Sequence, residues 1–157
     1  MANGIVIYYS RSGHTKEMAE IIAKSMNDAG LSTDCKSVEN VKADDLPKYD
    51  AIVVGSPTYY GHMAVQLQQF FEDTIIFHGR LDGKVGGAFS SSANIGGGNE
   101  TTVMGIIEAM LVAGMVVHGD PQGDHYGPVS INKPDDRVKR QCLRQGQRIA
   151  ELTKKLH

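Results

Sequence analysis

The 157-residue chain contains no tryptophan and only two cysteines, and it has no apolar run long enough to cross a bilayer. Cys35 and Cys142 stand far apart with no C-x-x-C spacing. That argues against a zinc or iron–sulfur site and fits reduced thiols in a cytoplasmic protein. The start, MANGIVIYYS, lacks the basic segment of a signal peptide, so no membrane association is expected. With 16 basic against 18 acidic residues the formal net charge is −2, which leaves no basic footprint for nucleic acid. The one basic cluster, Lys139, Arg140 and Arg144, reads as the solvated face of a last helix. Neither G-x-x-x-x-G-K-[ST] nor G-x-G-x-x-G occurs. The first absence excludes P-loop nucleotide hydrolysis and the second weakens a dinucleotide-binding reading. His118, Asp120, Asp124 and His125 are ligand types for a metal, but they are strung along a loop with a proline and glycines, and no metal is predicted.

What is present is an ordinary globular composition, 41% hydrophobic and 22% charged, enough for one domain with a full core over residues 1–157. Short apolar runs alternate with helical patterns. GIVIYY (4–9) does not alternate and is predicted as a strand buried on both faces. Met18, Ile22 and Met26, at spacing four, mark a helix over 15–29 that stops at Gly30. LSTDCKSV (31–38) alternates as an edge strand would, and DAIVVG (50–55) is a second buried strand. A helix with Met63, Leu67, Phe70 and Phe71 on its apolar face follows. KVGGAFS (84–90) is a strand whose glycines let helices approach; then come a helix over 101–113 and a fifth strand, GMVVHG (114–119). Pro134 introduces a last helix carrying Val138, Cys142, Ile149, Leu152 and Leu156 on one side. Strands alternating with helices predict parallel pairing with right-handed crossovers, hence an α/β three-layer sandwich.

In such sheets ligands bind outside the carboxyl ends of the strands, at the switch point of the topology. The loops leaving strands one, three, four and five are SRSGHT, SPTYYGH, SSSANIGGGNE and HGDPQGDHYGP, and all are predicted to converge on one edge. In the first, Ser10, Ser12 and Thr15 offer hydroxyls, Gly13 lets the backbone come close, and the free amides of the following helix favour an anion. A single phosphate held by neutral donors fits this stretch; a hydroxyl-rich helix cap is the plainer alternative. In the second, Pro57 stiffens the turn while Tyr59 and Tyr60 offer aromatic surface for a flat ligand. In the third, three glycines free backbone amides to meet the edge of a ring. A phosphate-accepting receiver domain shares this architecture, but it needs acids where this chain has Ser10 and Ser56.

The stretches S-R-S-G-H-T, G-S-P-T-Y-Y-G-H-M and F-S-S-S-A-N-I-G-G-G-N-E-T-T, in that order, resemble the flavodoxin-like superfamily. The likeness is strongest to NAD(P)H:quinone oxidoreductases of the Trp-repressor-binding-protein type, and it runs from Ile5 to about Leu156. The resemblance implies a five-stranded parallel sheet in the order 2-1-3-4-5 and bound FMN. It implies a phosphate cradle of Ser10, Arg11, Ser12, Gly13, His14 and Thr15. Contacts to the ring and ribityl chain would come from Pro57, Thr58, Tyr59, Tyr60 and Gly61. Ser91, Ser92, Ala93, Asn94, Gly96 and Gly97 would face the pyrimidine edge. NAD(P)H would be the electron donor and a quinone the acceptor. The chain also departs from that type. Val112-Ala113-Gly114-Met115 stands where His-His-Gly-Met is usual, no tryptophan precedes L-x-G-K, and KSVENVKADDLPKYD is too short for the insertion that helps to build a tetramer. The oligomeric state is left open, with a homodimer among the options.

An electron carrier that serves a redox partner protein is the alternative to an enzyme. A low-potential carrier disfavours the anionic reduced flavin with nearby acids, each worth roughly 4 kcal/mol at 4 Å and an effective dielectric near 20. The first two loops hold no acid but do hold Arg11, His14 and His62; Glu100 ends the third, and Asp120 and Asp124 lie in the fourth. The net charge also lacks the strongly acidic docking face of a carrier. The balance favours the enzyme, with no acid–base residue of its own at the flavin. Tyr59, Tyr60 and Tyr126 are expected to shape the slot, and histidines 14, 62, 118 and 125 are candidates for polar contacts.

Overall fold

The computed structural model describes all 157 residues, Met1–His157. Chain order is β1 (Asn3–Tyr8), α1 (His14–Asp28), β2 (Ser32–Ser37), β3 (Ala51–Pro57), α2 (Val65–Asp73), β4 (Val85–Ser92), α3 (Asn99–Val112), β5 (Val116–Val117), β6 (Val129–Ile131) and α4 (Asp136–Leu156). The strands run β2-β1-β3-β4-β5, all parallel, as the alternation of apolar runs and helices dictates. Each central strand feeds both layers. Ile5, Ile7, Ile52 and Val54 pack with Leu67, Phe70, Val103 and Ile106 of α2 and α3. Val6, Val53 and Phe89 pack with Met18, Ile22, Cys142 and Ile149 of α1 and α4. Full burial of both faces is why these strands read as unbroken apolar runs. A side chain at Gly87 would meet the Ile149 Cδ1, so the bare position lets the Ile149 side chain of α4 lie close on β4. No helix is long and apolar enough to cross a membrane.

Three boundaries differ from the sequence pattern. The last helix starts at Asp136, and its cap is Asp135, whose Oδ1 accepts from the Val138 amide at 2.8 Å; Pro134 lies just before. Met63 precedes α2 and Phe71 is half-buried, so the buried face of that helix is Leu67 and Phe70. The predicted fifth strand is divided. Val116–Val117 pairs with the start of β4 and Val129–Ile131 with its end, Ser90–Ser92.

The intervening segment, His118–Pro128, is drawn away toward α4. Asp120 accepts from Arg144, with Nη2–Oδ1 at 2.9 Å, and lies 3.7 Å from Arg148 Nε. Arg137 holds Asp124 at 2.7 Å, and the second carboxylate oxygen of Asp124 accepts from the Val129 amide. The fourth loop is therefore clasped to the helix, and it meets the strand ends only where the Pro128 carbonyl accepts from the Ser90 amide at 3.0 Å. Its carboxylates, considered above as metal ligand types, are committed to guanidinium groups. His125 Nδ1 pairs with the Asp120 carbonyl and His118 Nε2 with Arg148. Of the basic cluster, Arg144 serves this clasp and Lys139 faces Glu17 at 3.6 Å. Both cysteines are free, and burial pushes the Cys142 thiol up to about 12.

The Arg144 guanidinium holds the Asp120 carboxyl below its usual range. A depressed folded value contributes stability above the unfolded value and loses it as pH falls through the folded one, here below about pH 4. Asp120→Asn is therefore expected to lower the urea midpoint more at pH 7 than at pH 3, measured on both proteins by circular dichroism.

Candidate functional site

The topology switches between β1 and β3, where the chain turns left to β2 and right to β4. At that edge the structure opens a cleft of about 350 Å³. It is lined by Arg11, Ser12, His14 and Thr15 from the first loop, Pro57, Thr58 and Tyr59 from the second, and Ser91, Ser92 and Ala93 from the third, with Asn132 added. Three of the four loops expected to converge thus meet here. Asn132 was missed. It follows β6 with a left-handed φ of 58°, its amide donates to the Ser92 carbonyl at 2.7 Å, and no motif marks it.

The floor of the cleft is a set of paired hydroxyls. Thr15 Oγ1 and Ser91 Oγ lie 2.9 Å apart, and Thr58 Oγ1 and Ser90 Oγ 3.0 Å apart. Ser56 Oγ accepts from the Ala64 amide at 2.8 Å and donates to the Pro57 carbonyl at 2.7 Å, which folds the second loop back on its strand. These groups are buried, and mutual pairing removes the cost of taking them out of water.

Above the floor, α1 begins without an acceptor for its first amides. Gly13 is its N-cap with φ 93°, and no side chain caps the helix. The Gly13 amide donates to Ser10 Oγ at 3.1 Å, while the amides of Ser12, His14, Thr15 and Lys16 have no partner in the protein. Orphan donors at the positive end of a helix dipole make a place for an anion. The Arg11 guanidinium lies 4.8 Å from the centre of the Tyr59 ring and its Nε donates to Tyr9 Oη at 3.4 Å. Burial pushes the Tyr59 phenol up. No carboxylate lines the cleft.

Ser10, Gly13, Tyr60, Gly61, Asn94, Gly96 and Gly97 belong to the same three loops but are not among the residues that line the cleft. Tyr59 and His62 exchange both backbone hydrogen bonds, at 2.9 and 3.0 Å, so Tyr60 and Gly61 form a two-residue hairpin tip with φ 49° and 80°. Tyr60 is fully exposed at that tip, and Gly61 accepts from Thr101 Oγ1 at 2.8 Å. In the third loop the Asn94 carbonyl accepts from Ser92 Oγ and from the Gly97 amide, and Gly96 crests the turn. Of the four histidines only His14 lines the cleft. His62 lies across the hairpin, and His118 and His125 are held in the clasp. Tyr126, expected beside the slot, borders a separate hollow with Glu100 and Val103. The fourth loop contributes nothing to the cleft because its charges anchor it to α4.

A phosphate-sized anion site of neutral donors, an aromatic wall and a glycine-rich backbone rim, all at the switch point of a parallel sheet, define a flavin-mononucleotide type of α/β protein. The chain belongs to the flavodoxin family: the family model described as "Flavodoxin domain" matches residues 5–94. It is 35% identical to a Caulobacter vibrioides protein named "NAD(P)H dehydrogenase (quinone)", with all of both chains covered. That alignment extends over 198 positions against 157 residues here, so the relative carries segments this chain lacks. It is 37% identical to a "Flavodoxin" of Aquifex aeolicus, over 96% of this chain and 86% of the other. Among solved structures it superposes on a flavodoxin from the domain Archaea with TM-score 0.82 and 34% identity, over 97% and 99% of the two chains. A flavodoxin, WrbA-like protein from Agrobacterium tumefaciens gives TM-score 0.84 at 22% identity over the whole of both chains, a likeness of fold.

The third loop reaches the second through Gly98, the N-cap of α3, where φ is 103° and a Cβ would come within 2.6 Å of the Gly61 Cα. Gly98→Ala is expected to cost about 2–3 kcal/mol, from the backbone strain plus the clash. Gly96→Ala, with open space around a φ of 68°, is expected to cost only about 1 kcal/mol. Urea unfolding of the two variants checks the difference.

Proposed function

We propose that the cleft holds FMN and that the protein is an NAD(P)H:quinone oxidoreductase, converting NAD(P)H, a proton and a quinone to NAD(P)⁺ and a quinol. The observation that carries this reading is the run of unpartnered amides from Ser12 to Lys16, set beside an aromatic wall in a cleft with no carboxylate. The donor set fits the phosphate of FMN: four free amides, the hydroxyls of Ser10, Ser12 and Thr15, and the cationic Arg11. When bound, FMN supplies the two-electron transfer between nicotinamide and quinone.

The chain's own residues bind and orient. The amides of His14, Thr15 and Lys16 receive the phosphate, and the Thr15 hydroxyl is held in place by Ser91. Pro57, Thr58 and Tyr59 form one wall for the ring, with Tyr60 and Gly61 at its mouth. Ser91, Ser92, Ala93, Asn94, Gly96 and Gly97 present backbone to the opposite edge. Arg11 brings the positive character that a donor of hydride requires of its acceptor site, since the transferred charge must be accommodated. The names of the Caulobacter relative and of others at 34–38% identity support quinone as the acceptor class. The cytoplasm, with its reduced thiols, is the compartment this reading assigns.

Purified protein is expected to be yellow, or to become so with micromolar riboflavin 5′-phosphate, and to oxidise NADPH steadily only when benzoquinone is present. A colourless protein that takes up no flavin overturns the proposal; a flavin-loaded protein that passes electrons to a partner protein but not to benzoquinone makes it a carrier. Ser12→Asp sets a carboxylate against the phosphate. It is expected to raise the FMN dissociation constant at least about tenfold, because like charges a few ångströms apart repel by more than 1 kcal/mol at an effective dielectric near 20. Fluorescence quenching of the free flavin measures it.

A further inference from the structure

A cavity larger than the cleft lies outside it. A groove of about 680 Å³ runs between α2 and α3, on the face of the sheet away from α1 and α4. His62 and Thr101 form its upper end, Met63 and Phe71 its walls, and Ile75 and Val112 its lower end. At 1.5 Å per helical residue, Thr101 and Val112 are roughly 16 Å apart along α3. The groove and the cleft share one wall. Tyr59 lines the cleft, His62 lines the groove, and the two are the paired ends of a single hairpin. Thr101 ties that hairpin to α3 by donating to the Gly61 carbonyl.

The groove sets Met63, Phe71, Ile75, Ala109, Val112 and Ala113 beside polar residues that include Gln68, Glu72, Thr74, His78 and Glu108. Of the fourteen residues of α3 only Glu100 and Glu108 are charged, and its outer side carries Gly105, Ala109 and Val112. A helix apolar on its outer as well as its inner side expects cover on both. Glu72 and Glu108 line the groove and no lysine or arginine does, so the phosphates of NAD(P)H are repelled from it. Its lower mouth opens between Ile75 and Val112, which are 70% and 75% exposed and are flanked by the exposed Ile76 and Leu111.

We propose that this groove binds the branched hydrocarbon tail of a quinone whose head group is reduced in the cleft, so that the acceptor is a prenylated quinone. This rests on the reading of the cleft as a quinone-reducing site. The head meets the Tyr59 wall, the tail crosses the hairpin beside His62 and lies along Met63 and Phe71. A longer tail leaves through the aliphatic lower mouth. A tail-free quinone uses the cleft alone.

The test is steady-state reduction of naphthoquinones bearing no, one, two or three isoprenoid units by the FMN-loaded protein with NADPH. KM is expected to fall roughly fivefold with each of the first two units, as buried methylenes accumulate. Gly105→Leu fills the groove beside Met63, whose Cε lies 3.7 Å from where a Cβ would stand, and replaces glycine inside a helix, which favours folding. It is expected to abolish the dependence on tail length while leaving tail-free KM within twofold. Val112→Lys, at an exposed position, is expected to weaken only the longer tails. Farnesol, which has the tail and no quinone, is expected to shift the Met63 methyl resonance of the full chain, and not in Gly105→Leu. If that shift appears but no quinone is reduced, the groove stands and the cleft reading falls. If tail-free quinone is reduced while tail length has no effect and farnesol leaves Met63 unmoved, the proposal is overturned. A dimer that Ile76→Lys dissociates, with Met63 again unmoved by farnesol, overturns it in favour of a second copy of the chain.

Discussion

A helix that starts with no acceptor for its first amides is the constraint on which the rest of this molecule depends. Four donors from Ser12 to Lys16 face outward at the carboxyl edge of the sheet, and nothing in the chain satisfies them. Ser10, the one hydroxyl well placed to cap the helix, reaches only the Gly13 amide. An anion that takes these donors stabilises the folded chain by mass action, so ligand binding and the local order of the first loop are linked. The neighbouring loops are then required to deliver a wall and a rim to that fixed point.

They do so through buried hydroxyls. Thr15 with Ser91 and Thr58 with Ser90 tie the start of α1 and the second loop to the end of β4, and Ser56 with the Ala64 amide folds the second loop back on β3. Such short polar pairs have few alternative geometries, unlike apolar contacts, which tolerate sliding. The parallel register of Ser56 and Pro57 with Ser90 and Ser91 places the pairs directly under the cleft. Above them the tyrosine hairpin carries a non-glycine residue, Tyr60, in a left-handed conformation, a strain that the paired Tyr59 and His62 backbones hold in place. A hairpin that divides a redox cleft from an apolar groove is also a device that lets one ligand touch both.

Much of this was legible in the sequence because each signal was local. GIVIYY and DAIVVG announced central strands by failing to alternate, and S-R-S-G-H-T announced a helix start with free donors. The misses share a different cause, the action of distant partners. The fourth loop carries Asp120, Asp124, two histidines and Tyr126, all plausible neighbours for a flavin, yet Arg137, Arg144 and Arg148 draw it onto α4. Those arginines recur along one helix face, and only the folded arrangement shows that their acids come from another loop. The same pull accounts for the divided edge strand and for Asn132 at the cleft, since β6 pairs beside Ser90–Ser92 on the far side of the clasped segment. The groove was hidden for a further reason: its walls are the outer sides of two helices whose patterns report only their inner ones.

The electrostatics of the cleft bear on why a fold shared with electron carriers would serve an enzyme here. The Arg11 guanidinium stands in the cleft without a carboxylate among its lining residues, while the acids of this region lie in the groove or in the clasp. A positive cleft favours whichever state of a bound ligand carries more negative charge, so it eases the acceptance of electron pairs from a nicotinamide. Acids placed in the adjoining groove have the opposite effect on approach, because they turn anionic donors toward the cleft mouth and leave the groove to uncharged molecules. Donor and acceptor then differ in where they are held rather than in where they react, and a single site can serve both in turn without a moving lid.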